Sequence, residues 1–407
     1  MQIAVTEAEH APWTRDSLII GLVGLAHAIS HFFHLMLASL FPWLKTAFAL
    51  SYAELGLLMT SFFVVSAIGQ ALSGFVVDKI GARVVLFFGL CCLAAAALFG
   101  ALAQNYAMLI LAAILAGMGN SVFHPADYTI LNKKVSVARL PQAFSVHGLT
   151  GNLGWAAAPV FLVGIAGYSS WRSALFAAAA LPVLVLALLW CYRDLFDTRE
   201  TQSGKPGTAT QPSSGHALDF LKLRSVWLCF LFFFWLAMAL GGVQSFAPAA
   251  LREIYGMSLS LSTTAYTSYM VAAAAGMWYG GLLAARKQHD YIVAVTMIAA
   301  AIAALSLASG LLLAQLALVG MVLVGFAAGV AGPSRDLLIR AAAPKNATGR
   351  VYGMVYSGLD SGMALAPLLF GLLMDNHMPR LIFVGIALFQ LCAMLTALAV
   401  GHRNRHA

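Results

Sequence analysis

Apolar runs long enough to cross a membrane recur along this chain, and they restrict its fold more than any other feature. They are read at 17–44, 52–77, 84–104, 106–131, 142–166, 172–192, 223–249, 260–285, 291–313, 315–340, 350–374 and 381–400. A spanning helix needs about 20 apolar residues, so each run can bridge the hydrocarbon layer. Only 9% of the 407 residues are charged and 61% are hydrophobic, against roughly 25% and about 45–50% in soluble domains. Soluble, disordered and disulfide-scaffold classes are thereby excluded. The expected fold is an all-α membrane protein of twelve transmembrane helices.

The segment 198–216, TRETQSGKPGTATQPSSGH, is rich in Gly, Ser, Thr and Pro and reads as a flexible linker. It divides the chain into two bundles of six helices, 1–197 and 217–407. The bundles repeat one another at a nearly constant spacing: Pro42 maps to Pro248, Gly74 to Gly280, Gly117 to Gly325, Pro125 to Pro333, Gly154 to Gly362 and Pro159 to Pro367. Paired helix-bending residues of this kind mark an internal two-fold repeat, which favours a transporter over a channel, receptor or enzyme.

Most of the 23 Lys and Arg fall on the side of the termini, while Lys45, Arg172, Arg252 and Arg380 fall on the other. Basic loops stay inside, so both termini are expected in the cytoplasm and the protein in the cytoplasmic (inner) membrane. The first fifteen residues hold Glu7, Glu9 and Pro12 and show no cleavable signal pattern. The net charge of +8 comes with no basic patch interleaved with aromatics, so nucleic acid is not an expected partner. Cys91, Cys92, Cys191, Cys229 and Cys392 lie in or at the ends of apolar runs and read as packing residues.

Gly74–Arg83 reads GFVVDKIGAR, which resembles the G-x-x-x-D-x-x-G-x-R/K loop of the major facilitator superfamily. Its second copy, GGLLAARK from Gly280, has Ala284 where Asp78 maps. The resemblance implies a conformational latch of Gly74, Asp78, Gly81 and Arg83, alternating access between two bundles, and a cavity lined by helices 1, 4, 7 and 10. GMGNSVFHPADY (Gly117–Tyr128), HGLTGNLGWAAAP (His147–Pro159), and Ser30 with His31 resemble the fosmidomycin-resistance type of branch. This chain departs from that branch in HFFHLML, where an Asp is usual after the first-helix His, so the resemblance does not carry a substrate.

Charges within a span cost about 2.5–3.5 kcal/mol on insertion scales, so each one is a functional candidate. The repeat places Asp127 opposite Arg335. Arg335 suits a substrate carboxylate or phosphate and Asp127 a proton, the alternative being a structural ion pair or two snorkelling ends. Asn120, His124 and Asp127 share one face of helix 4, and His27, His31 and His34 lie within about 60° on helix 1. These histidines fit a proton relay, a weak metal path (His27, His31, His34) or plain helix contacts. Substrate contacts are expected from Arg335, His31, His124, Tyr128 and Gln244. Proton coupling is expected from Asp127, His31, His34 and Asp336, and structural polar roles from Asn152, Asp360 and His147.

No nucleotide loop, metalloprotease helix or nucleophile elbow occurs, so enzyme chemistry is not expected. The expectation is a monomeric, proton-coupled secondary transporter for a small organic anion, with the proton gradient as energy source and no cofactor. A proton-antiport exporter of drugs or amphiphiles, and a metal or metal-chelate carrier built on the helix 1 histidines, remain as alternatives.

Overall fold

The computed structural model describes residues 13–136, 139–198, 222–284, 289–342 and 349–404. Among them are α1 (Trp13–His34), α2 (Phe41–Phe48), α3 (Tyr52–Ile80), α4 (Ala82–Ala101), α5 (Tyr106–Asn120), α6 (Phe123–Lys134) and α7 (Leu140–Tyr168). There follow α8 (Trp171–Cys191), α9 (Arg224–Tyr255), α10 (Leu259–Ala284), α11 (His289–Ser309), α12 (Ala314–Ala342), α13 (Gly349–Asp375) and α14 (Arg380–Asn404). Helices α1 and α2 are one span broken in two, as are α5 and α6, so the described helices make twelve crossings. Among the described residues, eleven crossings are long and apolar enough to span a membrane. The twelfth, α10, has the length, 26 residues, but Ser260, Ser262, Thr263, Thr264 and Tyr266 lower its hydropathy.

Both breaks have a proline behind them. Pro125 has no N–H to donate to the carbonyl of Ser121, so the helix stops at Asn120 and restarts at Phe123. The orphaned Ser121 carbonyl accepts instead from Ser73 Oγ at 3.0 Å. Pro42 stands in the first turn of α2 in the same way. Their repeat partners behave differently, since Pro248 and Pro333 lie inside the unbroken α9 and α12. The repeat is therefore unequal where it matters most: only the first half interrupts its helices.

Within the first half α1 packs on α7, α4 on α5 and α8, and α3 on α5; within the second, α10 packs on α12 and α9 on α13 and α14. The halves meet chiefly along α3 and α13, with α7 against α10. At the end that carries the α2–α3 and α13–α14 turns, Asp375 accepts from the N–H groups of Tyr52 and Ala53 at 2.7 and 2.8 Å, capping α3 from the other half. One turn deeper Gly56 faces the Pro367 carbonyl so closely that a Cβ would collide with it. Thr60 Oγ1 then donates to Ala364 O. This end of the α3–α13 seam is shut by backbone contact.

Candidate functional site

Three helices bring a cluster of imidazoles around one carboxylate. Asp127 on α6 is 0% exposed, and its Oδ2 lies 3.1 Å from His147 Nε2 on α7 and 3.3 Å from His27 Nδ1 on α1. The His27 and His147 rings stack with centroids 3.5 Å apart. His31 lies 4.3 Å from His27, centroid to centroid, and His124 lies 5.2 Å from His27. Room for these rings comes from α7. Gly151 stands against the His31 and His27 rings and Gly154 against the Ala28 carbonyl, so a side chain at either would displace α1. Gly151 and Gly154, on one face of α7, are the bed of the histidine cluster.

The members differ in how far their hydrogen bonds are filled. His34 donates from Nε2 to Asn120 Oδ1 at 2.8 Å and accepts at Nδ1 from Trp155 Nε1 at 3.2 Å. Both ring nitrogens of His34, expected in proton coupling, are thus occupied by Asn120 and Trp155 in this structure. Asn120 is the hub, because its Oδ1 also accepts from Ser30 Oγ and its Nδ2 donates to Ser66 Oγ at 2.8 Å. By contrast, among the described residues neither nitrogen of His31 and neither Asp127 Oδ1 nor His27 Nδ1 has a hydrogen-bond partner of good geometry. The cluster's free capacity is concentrated at His27, His31 and Asp127.

His124 connects this cluster to the other half. Its Nδ1 donates to Gln70 Oε1 at 3.1 Å, and Gln70 Nε2 donates to Asp360 on α13 at 3.2 Å. Asp360 is therefore a cross-half contact. Asn152, its repeat partner, donates instead to Gly148 O in its own helix at 3.1 Å and pins no other helix among the described contacts. The pairing of Asp127 with Arg335 is not formed, as Asp127 takes its described partners from His147 and His27. Arg335 on α12 is half-buried, and the side chain of Asp336 lies outside the described residues. Tyr128 stands half out of the cluster, 42% exposed with its ring 5.0 Å from His147.

Two sets of three residues each bring one metal-competent atom within 4.8 Å of the others, His27 with His31 and His124, and His27 with Asp127 and His147. His34 belongs to neither, so the expected helix 1 set does not assemble. In the second set His27 Nδ1 and His147 Nε2 both lie against the same Asp127 oxygen, at 3.3 and 3.1 Å. The arrangement is a buried cluster of imidazoles around one carboxylate, joined by hydrogen bonds and ring contacts.

The family model of the Major Facilitator Superfamily matches residues 23–367, which takes in every residue of the histidine cluster. The chain belongs to the Major Facilitator Superfamily. It is a multi-pass membrane transporter and not an enzyme. It is 26% identical over 400 residues to the fosmidomycin resistance protein of Escherichia coli (strain K12), covering 95% of this chain and 94% of that protein. It is 26% identical over 288 residues to a hexuronate transporter of Bacillus subtilis (strain 168), covering 69% and 66%. The fold is that of a bacterial homolog to the human lysosomal transporter Spinster in an inward-facing, occupied conformation, with TM-score 0.76 and 16% identity over 97% of this chain and 98% of that one.

In this superfamily member the Gly74–Arg83 loop meets the end of the first half. Gly81 has φ 90° between α3 and α4, a conformation that suits glycine. Arg83 donates to the Arg193 carbonyl at 3.2 Å and lies 3.4 Å from Asp197. Ala82 N donates to Thr198 Oγ1 at 3.0 Å, so the expected linker begins one residue inside an anchored turn. The rest of 198–216 and the side chain of Asp78 lie outside the described residues, and Gly74 faces open space. A further contact escaped the sequence: Asp16, 0% exposed, accepts from Ser136 N and Oγ and from Arg139 at 2.8 Å. An acidic residue in the first helical turn is ordinary on a helix surface, and nothing local to it announces a partner 120 residues away.

Proposed function

We propose that this transporter is proton-driven and moves a small organic anion by alternating access, as a monomer in the cytoplasmic membrane with both termini inside. The observation that carries the reading is the Asp127 carboxylate, fully buried, with two imidazoles as its described partners and one oxygen unfilled. With one proton shared among Asp127, His27 and His147 the cluster is uncharged. Without that proton a net charge stands in an apolar interior, at a cost of about 2.5–3.5 kcal/mol on insertion scales. A change of conformation that wets Asp127 from one side and then the other therefore carries the proton with it.

The seam between the halves supports alternation, and the His124–Gln70–Asp360 chain gives the proton cluster a direct hold on the second half. Arg335 supplies a cation within a span, and hexuronate, named for one relative, is an organic anion. The likeness to a fosmidomycin resistance protein over nearly the whole chain favours export as the direction, which uses the same proton centre by antiport.

The test is flux in proteoliposomes under an imposed pH gradient, with labelled organic acids beside cationic amphiphiles and divalent metals. The reading expects acids to move, and Arg335→Gln to abolish their movement. Gradient-driven flux of amphiphiles or metals alone overturns the anion assignment.

A further inference from the structure

Away from the histidine cluster, at the end that carries the α2–α3 turn, a cleft of about 270 Å³ opens between α1–α2 and α7 of the first half and α9 and α10 of the second. Gln244, Ser245 and Tyr266 form its inner wall at 4%, 5% and 2% exposure. Both amide atoms of Gln244, the Ser245 hydroxyl and the Tyr266 hydroxyl have no hydrogen-bond partner among the described residues. Buried polar atoms are ordinarily paired. Four unpartnered atoms on two adjacent helices, facing one cleft, form a built hydrogen-bonding surface. They also give a use to the unusual polarity of α10.

The mouth of the cleft is cationic. Lys45 and Arg252, near-equivalent positions of the two repeats, both line it. Lys45 Nζ donates to Leu50 O at 3.1 Å and sits 4.2 Å over the Tyr52 ring, which leaves donors to spare. Among the described residues, neither cation has a carboxylate within 4 Å. The nearby acids are engaged elsewhere: Glu253 accepts from Tyr52 Oη at 2.9 Å and Asp375 caps α3. The break of the first span places its 3₁₀ turn, Ala38–Leu40, along the same wall, with Leu35, Ala38 and Ser39 lining the cleft.

We propose that this cleft is an outer recognition site for a small polyhydroxylated carboxylate, its carboxylate held by Lys45 and Arg252 and its hydroxyls by Gln244, Ser245 and Tyr266. A charged head alone needs only the mouth, and a neutral polyol only the wall. A molecule that uses both ends is a hydroxy acid of monosaccharide size, since the volume lies just under the usual range of about 300–1,000 Å³ for ligand sites. The assignment rests on the anion-carrier reading and adds to it the substrate class and the place of first contact. Because the two cations come from opposite halves, the bound anion bridges them.

The experiment is calorimetric titration of the full chain in detergent with lactate, gluconate and glucarate, beside glucose and hexanoate as probes of one end each. At least one hydroxy acid is expected to bind tenfold or more tightly than glucose and hexanoate. Tyr266→Phe, which removes one hydroxyl and keeps the ring, and Arg252→Gln are each expected to weaken it at least threefold, and Gln244→Leu at least tenfold. Equal binding of hexanoate, or hydroxy-acid affinity unchanged in Tyr266→Phe and Arg252→Gln, overturns the proposal. If an acid binds and its affinity falls in Arg335→Gln alone, the cleft is wrong and the anion-carrier reading stands. If no hydroxy acid binds, the cleft assignment falls, while flux of other acids decides the carrier reading separately.

Discussion

Trp155 donates its indole N–H to Nδ1 of His34 across 3.2 Å, and that one bond separates His34 from its neighbour His31. With Nδ1 accepting and Nε2 donating to Asn120, His34 has no free nitrogen for a travelling proton. His31, whose centroid is 4.8 Å away, has both nitrogens open. Trp155→Phe is therefore expected to lower stability by about 1–3 kcal/mol through an unfilled buried acceptor. The pH profile of uptake should keep its midpoint. Thermal melts and uptake from pH 5 to 8 check this, and a shifted midpoint would return His34 to the relay.

Asn120 holds three helices through one amide, so its loss is more damaging. Asn120→Leu strands Ser30, His34 and Ser66 at once, each of them buried. At about 1 kcal/mol or more per stranded group the expected loss is about 3 kcal/mol or more. A fall in melting temperature beyond that of Trp155→Phe is the observable.

How much of this was legible in the sequence divides by distance along the chain. Spans, crossings and the Asp127 and His124 face of helix 4 follow from local composition and from periodicities of a few residues, which any reader of the sequence can count. The Gln70–Asp360 and Asp375–Tyr52 contacts join residues 290 and 323 apart. No local spacing encodes them. The repeat aligns Asp127 with Arg335, but α5–α6 breaks at Ser121 while α12 runs through Pro333, and the described ion pairs of Asp127 are to His27 and His147. His147, expected to be structural, faces Asp127 because Gly151 and Gly154 draw α7 against α1.

Gln70 relays between the proton cluster and the second half. Gln70→Leu keeps the size of the side chain and removes both bonds, to His124 and to Asp360. Turnover is expected to fall several-fold with KM unchanged, measured as initial rates in proteoliposomes. Loss confined to KM would make Gln70 a substrate contact instead.

Asp375 closes the seam as a helix cap, and capping is worth about 0.5–2 kcal/mol. Asp375→Ala should shift the population toward molecules open at that end. In a cysteine-free background, spin labels at Thr46 and Asn376 should report a longer distance in the variant. An unchanged distance distribution means that the carboxylate does not hold the seam.

The most direct test of proton coupling at the histidine cluster compares two modes of transport in Asp127→Asn. Net flux driven by a pH gradient must carry a proton each cycle, whereas substrate exchange at equal pH need not. Abolished gradient-driven flux with exchange retained within a few-fold of wild type is the predicted result. Full gradient-driven flux in Asp127→Asn would contradict the assignment of Asp127 as the proton carrier.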